Sequence, residues 1–111
     1  QEGIKLALHS DMPMAPASPL MLMHAAVNRD NFAGKVAGPD QRITSTEALR
    51  AVTINAAYVL GLEKMYGSIE AGKYANFTIL DRNPLTIETH EIKNIKILGT
   101  VLKGDSLPAN L

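Results

Sequence analysis

Two stretches of this sequence carry side chains whose types and spacing could do chemistry. The first is His9-Ser10-Asp11, an imidazole, a hydroxyl and a carboxylate in consecutive positions. Neighbours cannot form a catalytic triad among themselves, because successive strand side chains point to opposite faces and triad partners meet through tertiary folding. A nucleophilic Ser10 would have to borrow a base from His24, inside an apolar helical pattern, or from His90, in a late loop. Asp11 is the stronger candidate. A carboxylate directly after an apolar strand stands where α/β enzymes carry their working groups. A hard anionic oxygen there can ligate a divalent metal or take a proton from metal-bound water. The competing assignment is an Asx turn at the head of the proline-rich loop. Met12 and Met14, on either side of Pro13, are candidates to line an adaptable apolar pocket, with plain packing as their other role.

The second stretch, Gly67-Ser68-Ile69-Glu70-Ala71-Gly72-Lys73, matches the start of a phosphate-binding loop. Its context fails. The next residue is Tyr74 where a Ser or Thr should hold magnesium, and Ala75–Leu80 reads as a strand where a helix N-terminus should face the phosphates. The expectation is a turn between two β-segments, Gly67–Ile69 and Ala75–Leu80.

The elements that must position these residues follow from local patterns. Ile4–Leu8, apolar except for Lys5, predicts a buried strand delivering His9-Ser10-Asp11 at its end. Ser18-Pro19 predicts a helix start, with Ser18 as N-cap and an apolar face of Leu20, Met23, Ala26 and Val27 running to about Asn28. Thr44-Ser45-Thr46-Glu47 is a capping box, and the turn from Asn55 to Leu60 ends at Gly61, a left-handed cap. Ile92, Ile95, Ile97 and Val101 predict a last β region with 95, 97 and 101 on one face. Lys103-Gly104-Asp105 supplies a hairpin turn, and Pro108 argues against a strand beyond it.

Composition narrows the classes. The 111 residues carry 11 basic and 11 acidic side chains and are 46% hydrophobic, enough for one modest core. A balanced charge offers no field for nucleic acid, and no apolar run approaches the roughly 20 residues of a bilayer span. There is no cysteine, so thiolate metal sites and cysteine nucleophiles are excluded, and the cytoplasm is the expected compartment. The chain begins at Gln1 rather than Met, so a fragment of a longer protein is expected.

Together the blocks resemble the C-terminal portion of the metal-dependent amidohydrolase superfamily. Leu8-His9-Ser10-Asp11-Met12-Pro13, followed by Ser18-Pro19 and a helix, looks like the eighth strand and loop of its Ser-Asp-x-Pro branch. Ile43-Thr44, Glu47–Arg50, Thr53–Ala57 and Leu60-Gly61 resemble its terminal helices. Gly67–Asn76 through Leu80-Asp81 looks like its return into a small β-sandwich, and Ile97–Gly104 like its final hairpin. Asn76 departs from the family's usual Asp, which puts one local hydrogen bond in question.

The resemblance implies an α/β fold: residues 1–61 as the last strand and terminal helices of a (β/α)8 barrel, and residues 62–111 as part of a β-sandwich domain. In isolation such a piece would look α+β. It implies hydrolysis of non-peptide carbon–nitrogen bonds by metal-activated water, with zinc the usual ion and a small molecule as substrate. Asp11 matches the strand-eight aspartate that contacts the metal and shuttles a proton. A barrel needs about 200 residues, and one carboxylate does not hold zinc, which takes three protein ligands at a catalytic site. The 111-residue chain alone is therefore expected to be inactive. The alternative is a non-catalytic interaction or assembly module, in which Ile4–Leu8 pairs with another copy as a homo-oligomer or domain swap.

Overall fold

The computed structural model describes residues 3–12, 17–31 and 33–109. Helix α1, Pro19–Asn28, begins where Ser18 accepts the Met21 amide on its hydroxyl at 3.4 Å, with Pro19 at the first helical position. It ends at Arg29, whose left-handed φ of 58° turns the chain out. Helix α2, Ser45–Val52, carries the full capping box: the Glu47 amide donates to the Thr44 hydroxyl at 3.2 Å, and the Thr44 amide donates to the Glu47 carboxylate at 2.8 Å. Thr53, at φ −122° and ψ −98°, breaks the helix, and α3 resumes over Ile54–Val59. Gly61, at φ 71°, closes α3 in a Schellman arrangement, with the Leu62 amide on the Ala57 carbonyl and the Gly61 amide on the Tyr58 carbonyl.

Three strands follow: β1 Phe77–Leu80, β2 Ile97–Leu102 and β3 Asp105–Pro108, antiparallel in the order β1-β2-β3. The β2–β3 link is a two-residue turn in which Lys103 and Gly104 both have positive φ, as a primed hairpin turn requires. Asn76 braces this turn by accepting the Lys103 amide on Oδ1 at 2.8 Å, so the acceptor expected of an aspartate is retained.

The core lies among the helices. Met23 and Val27 of α1, Ala48 of α2 and Ile92 form one buried cluster, with Leu20, Ile43, Leu49, Val52 and Ile87 packed around it. Ile92 thus ties the C-terminal half of the chain to the first two helices.

Several expectations need correction. Ile4–Leu8 is extended but belongs to no sheet, and Ile4 is 81% and Leu6 48% exposed. A strand is buried only when neighbours flank it, and among the described residues no strand lies alongside. The only sheet among the described residues is antiparallel. Gly67–Ile69 is a bend that joins no strand, with Ile69 exposed. Ile92 lies in a 3-10 helix, Thr89–Asn94, where its three-residue spacing from Ile95 fits the 3-10 period better than strand alternation. Ile95 is buried where it ends the 3-10 helix, outside β2, while Ile97 at the start of β2 is exposed, and a bulge at Leu98 makes Ile97 rather than Leu98 the partner of Leu80. Pro108 does end a strand. It pairs opposite Gly99 on the edge strand, where a missing N–H is tolerated.

Candidate functional site

Asp11 ends the extended segment in a left-handed conformation, φ 51°, with its side chain exposed. Among the described residues no hydrogen bond or ion pair engages its carboxylate. The Asx-turn assignment loses its usual donor as well, because the residue two positions on is Pro13, which has no N–H. His9 and Ser10 make no side-chain hydrogen bond to Asp11 or to each other. Met12 is exposed, and Met14 lies outside the described residues.

The segment that carries Asp11 is held from one side by the α2–α3 junction. The Leu8 amide donates to the Ala51 carbonyl at 3.3 Å, and the Asn55 side-chain amide donates to the Leu6 carbonyl at 2.9 Å. The Lys5 ammonium sits 3.5 Å from the centre of the Tyr58 ring. Sequence reasoning missed Asn55, because its partner stands 49 positions away and no local pattern encodes the pairing.

His24 is not a spare base for Ser10. It is 4% exposed, and both ring nitrogens are engaged. The Asn28 amide nitrogen donates to the carbonyls of His24 at 3.0 Å and Thr89 at 2.9 Å, and lies 3.2 Å from His24 Nδ1. The other ring nitrogen, Nε2, lies 3.3 Å from the Asp30 carboxylate. Burial pushes the Asp30 carboxyl up, but the hydrogen bond and electrostatic attraction of His24, with Lys93 further out, hold it below its usual value. His90 meets His24 edge-on, with ring centroids 6.3 Å apart. This is a structural network joining α1 to the 3-10 helix.

The Gly67–Lys73 loop binds its own cation. Lys73 Nζ donates to the Ser68 hydroxyl at 2.6 Å and pairs with Glu70 at 2.9 Å, while Ser68 also bonds Glu70. Gly67 serves close packing, since a Cβ there would lie 2.8 Å from the Ala57 Cβ and 2.9 Å from the Ile54 Cα. A turn forms at Ala71-Gly72 and β1 rather than a helix follows, starting at Phe77 and not Ala75, but no strand precedes the turn among the described residues.

An apolar groove of about 760 Å³ runs between α2–α3 and the sheet, walled by Leu49, Val52, Leu60, Phe77, Leu80 and Val101. It has no carboxylate, histidine, lysine or arginine in its lining, so it offers surface rather than catalysis. Among the described residues no group of three or more His, Asp or Glu could hold a metal. By its chemistry Asp11, an exposed carboxylate with no partner among the described residues, fits as a single donor to a divalent ion. It does not make a site by itself.

With this geometry in view, the comparisons are direct. The amidohydrolase family model matches residues 1–107, so this chain belongs to the amidohydrolase family. It is 42% identical over 102 residues to the N-substituted formamide deformylase of Arthrobacter pascens, covering 92% of this chain and 19% of that protein. It is 36% identical over 81 residues to an imidazolonepropionase of Acinetobacter baumannii, covering 73% of this chain and 18% of that one. The crystal structure of an amidohydrolase from Thermotoga maritima superposes with a TM-score of 0.66 at 22% identity, over 97% of this chain and 24% of the other. The chain thus spans about a fifth of the relatives it matches, and it shares its fold with part of a larger enzyme.

Proposed function

We propose that this chain is the C-terminal part of a metal-dependent hydrolase of non-peptide carbon–nitrogen bonds, with Asp11 as its working carboxylate. The observation that carries the proposal is an exposed acid, without a partner among the described residues, at the end of a segment held by the α2–α3 junction. The relatives support the bond class: removing a formyl group from an N-substituted formamide breaks a carbon–nitrogen bond. In this reading residues 1–61 close a (β/α)8 barrel and 62–111 contribute to a β-sandwich. The divalent ion, zinc in our proposal, supplies a bound water of lowered pKa. Asp11 would be one of the residues holding that ion, and its carboxylate would take a proton from the attacking water and pass it to the leaving nitrogen as the carbon–nitrogen bond breaks. The remaining donors lie outside this sequence, so the 111-residue chain by itself turns nothing over.

Asp11→Asn in the full-length gene product tests this. The expected result is a loss of about a hundredfold or more in kcat on an N-substituted formamide, the scale of lost general acid–base catalysis, with the melting temperature unchanged. Wild-type turnover in that variant refutes the assignment. The exposed, unladdered Ile4–Leu8 segment favours one second reading, an assembly module that pairs this strand with another copy. Concentration-dependent dimerisation of the 111-residue chain, abolished by Leu6→Lys, would favour it. No helix among the described residues is long and apolar enough to cross a membrane, and the cytoplasm is the compartment we propose.

A further inference from the structure

The break between α2 and α3 does something an unbroken helix could not. In a continuous helix the Ala51 carbonyl would accept the Asn55 amide four residues on. With Thr53 outside helical geometry, that carbonyl is free to accept the Leu8 amide instead. The same break places Asn55 at the second position of α3, its side-chain amide 2.9 Å from the Leu6 carbonyl. In an extended chain the carbonyl of one residue and the amide two residues on face the same side. One edge of the segment is therefore satisfied by the helix junction, as a neighbouring strand would satisfy it. The break itself is fixed from within and from behind: the Thr53 hydroxyl donates to the Leu49 carbonyl at 2.6 Å, and Gly67 packs against Thr53, Ile54 and Ala57.

We propose that Asn55 is a positioning residue for Asp11, an inference that rests on the reading of Asp11 given above. Asp11 stands three residues beyond Leu8, about 10 Å of extended chain, and no described hydrogen bond pins residues 9 to 11. Its placement is set by the two bonds at Leu6 and Leu8. Of the two, the Asn55 bond is the one a side chain controls.

The test is Asn55→Asp, which is isosteric and removes the donor. An acidic residue in the first turn of a helix is favourable, so α3 keeps its stability. Two measurements are made. In the 111-residue chain, hydrogen exchange at the Leu8 amide should quicken by about three- to tenfold, the loss of one ordinary hydrogen bond, while the Ala48 and Leu62 amides keep their protection. In the full-length product, kcat should fall about tenfold with KM within a factor of about two, as a displaced catalytic group predicts. Asn55→Gln, which keeps an amide donor on a longer stem, should recover part of both.

Unchanged Leu8 exchange overturns the positioning role while leaving the Asp11 reading intact. Faster exchange with unchanged kcat, in an enzyme that Asp11→Asn disables, overturns it too. If Asp11→Asn is fully active, the reading of Asp11 falls and the positioning role falls with it.

Discussion

The extended segment at the start of the described chain and the helical core beside it are built on opposite terms. Met23, Ala48 and Ile92 have at most 1% of their surface exposed and come from three different elements, so each stabilises the others. Ile4 and Leu6 are as apolar but lie open, and their segment is held by two hydrogen bonds to a helix junction. The region that carries Asp11 has little packing of its own. Its carboxylate faces outward, and its segment borrows rigidity from a part of the fold that is free to be dense.

Substitutions can sharpen that contrast. The largest effect is expected in the core. Met23→Ala removes a fully buried side chain and should cost about 2–5 kcal/mol, whereas Leu6→Ala, half in water, should stay within about 0.5 kcal/mol. Urea denaturation of the 111-residue chain measures both, and equal costs would erase the distinction drawn here. Next come two glycines of one loop. Gly67→Ala and Gly72→Ala both force a side chain into positive φ, about 1–2 kcal/mol each. Only Gly67 also drives a Cβ into α3, so its variant should be clearly the less stable and should quicken exchange at Leu8 as well.

The smallest effect is pH-dependent. Glu47 is held below its usual range by the hydrogen bond from the Thr44 backbone and then by the Thr44 hydroxyl, and Asp30 by His24 against the pull of burial. A carboxyl depressed in the folded state contributes stability in full above its unfolded pKa, about 4. That contribution is lost as the pH falls through the lower folded value. Stability should therefore decline below about pH 4. The double variant Glu47→Gln, Asp30→Asn should show a shallower acid limb, and an unchanged slope would remove these two acids from the account.

Legibility in the sequence followed the range of each interaction. The Ser18 cap, the Thr44/Glu47 box and the Gly61 Schellman end were all readable, because each satisfies backbone groups within a few residues. The hairpin at Lys103-Gly104 was readable for the same reason. Ile92 was misread because a spacing of three and a spacing of two look alike over so short a run. The strand expected at Ile4–Leu8 joins no sheet among the described residues, because a strand's neighbours are not set by its local sequence.

Asp11 as a candidate came from its place after an apolar run and needed no structure to find. What holds it there did. The Asn55–Leu6 bond spans 49 positions and the Asn28–Thr89 bond 61. The close approach of Gly67 to α3 exists only once the loop has folded back. By itself the sequence determined where the helices start and stop, which turns need positive φ and which residue types could do chemistry, since those follow from groups a few bonds apart. Only the tertiary structure decided which carbonyl Asn55 would find and which face of Gly67 would be covered, because such contacts depend on where distant segments come to rest after the whole chain has packed.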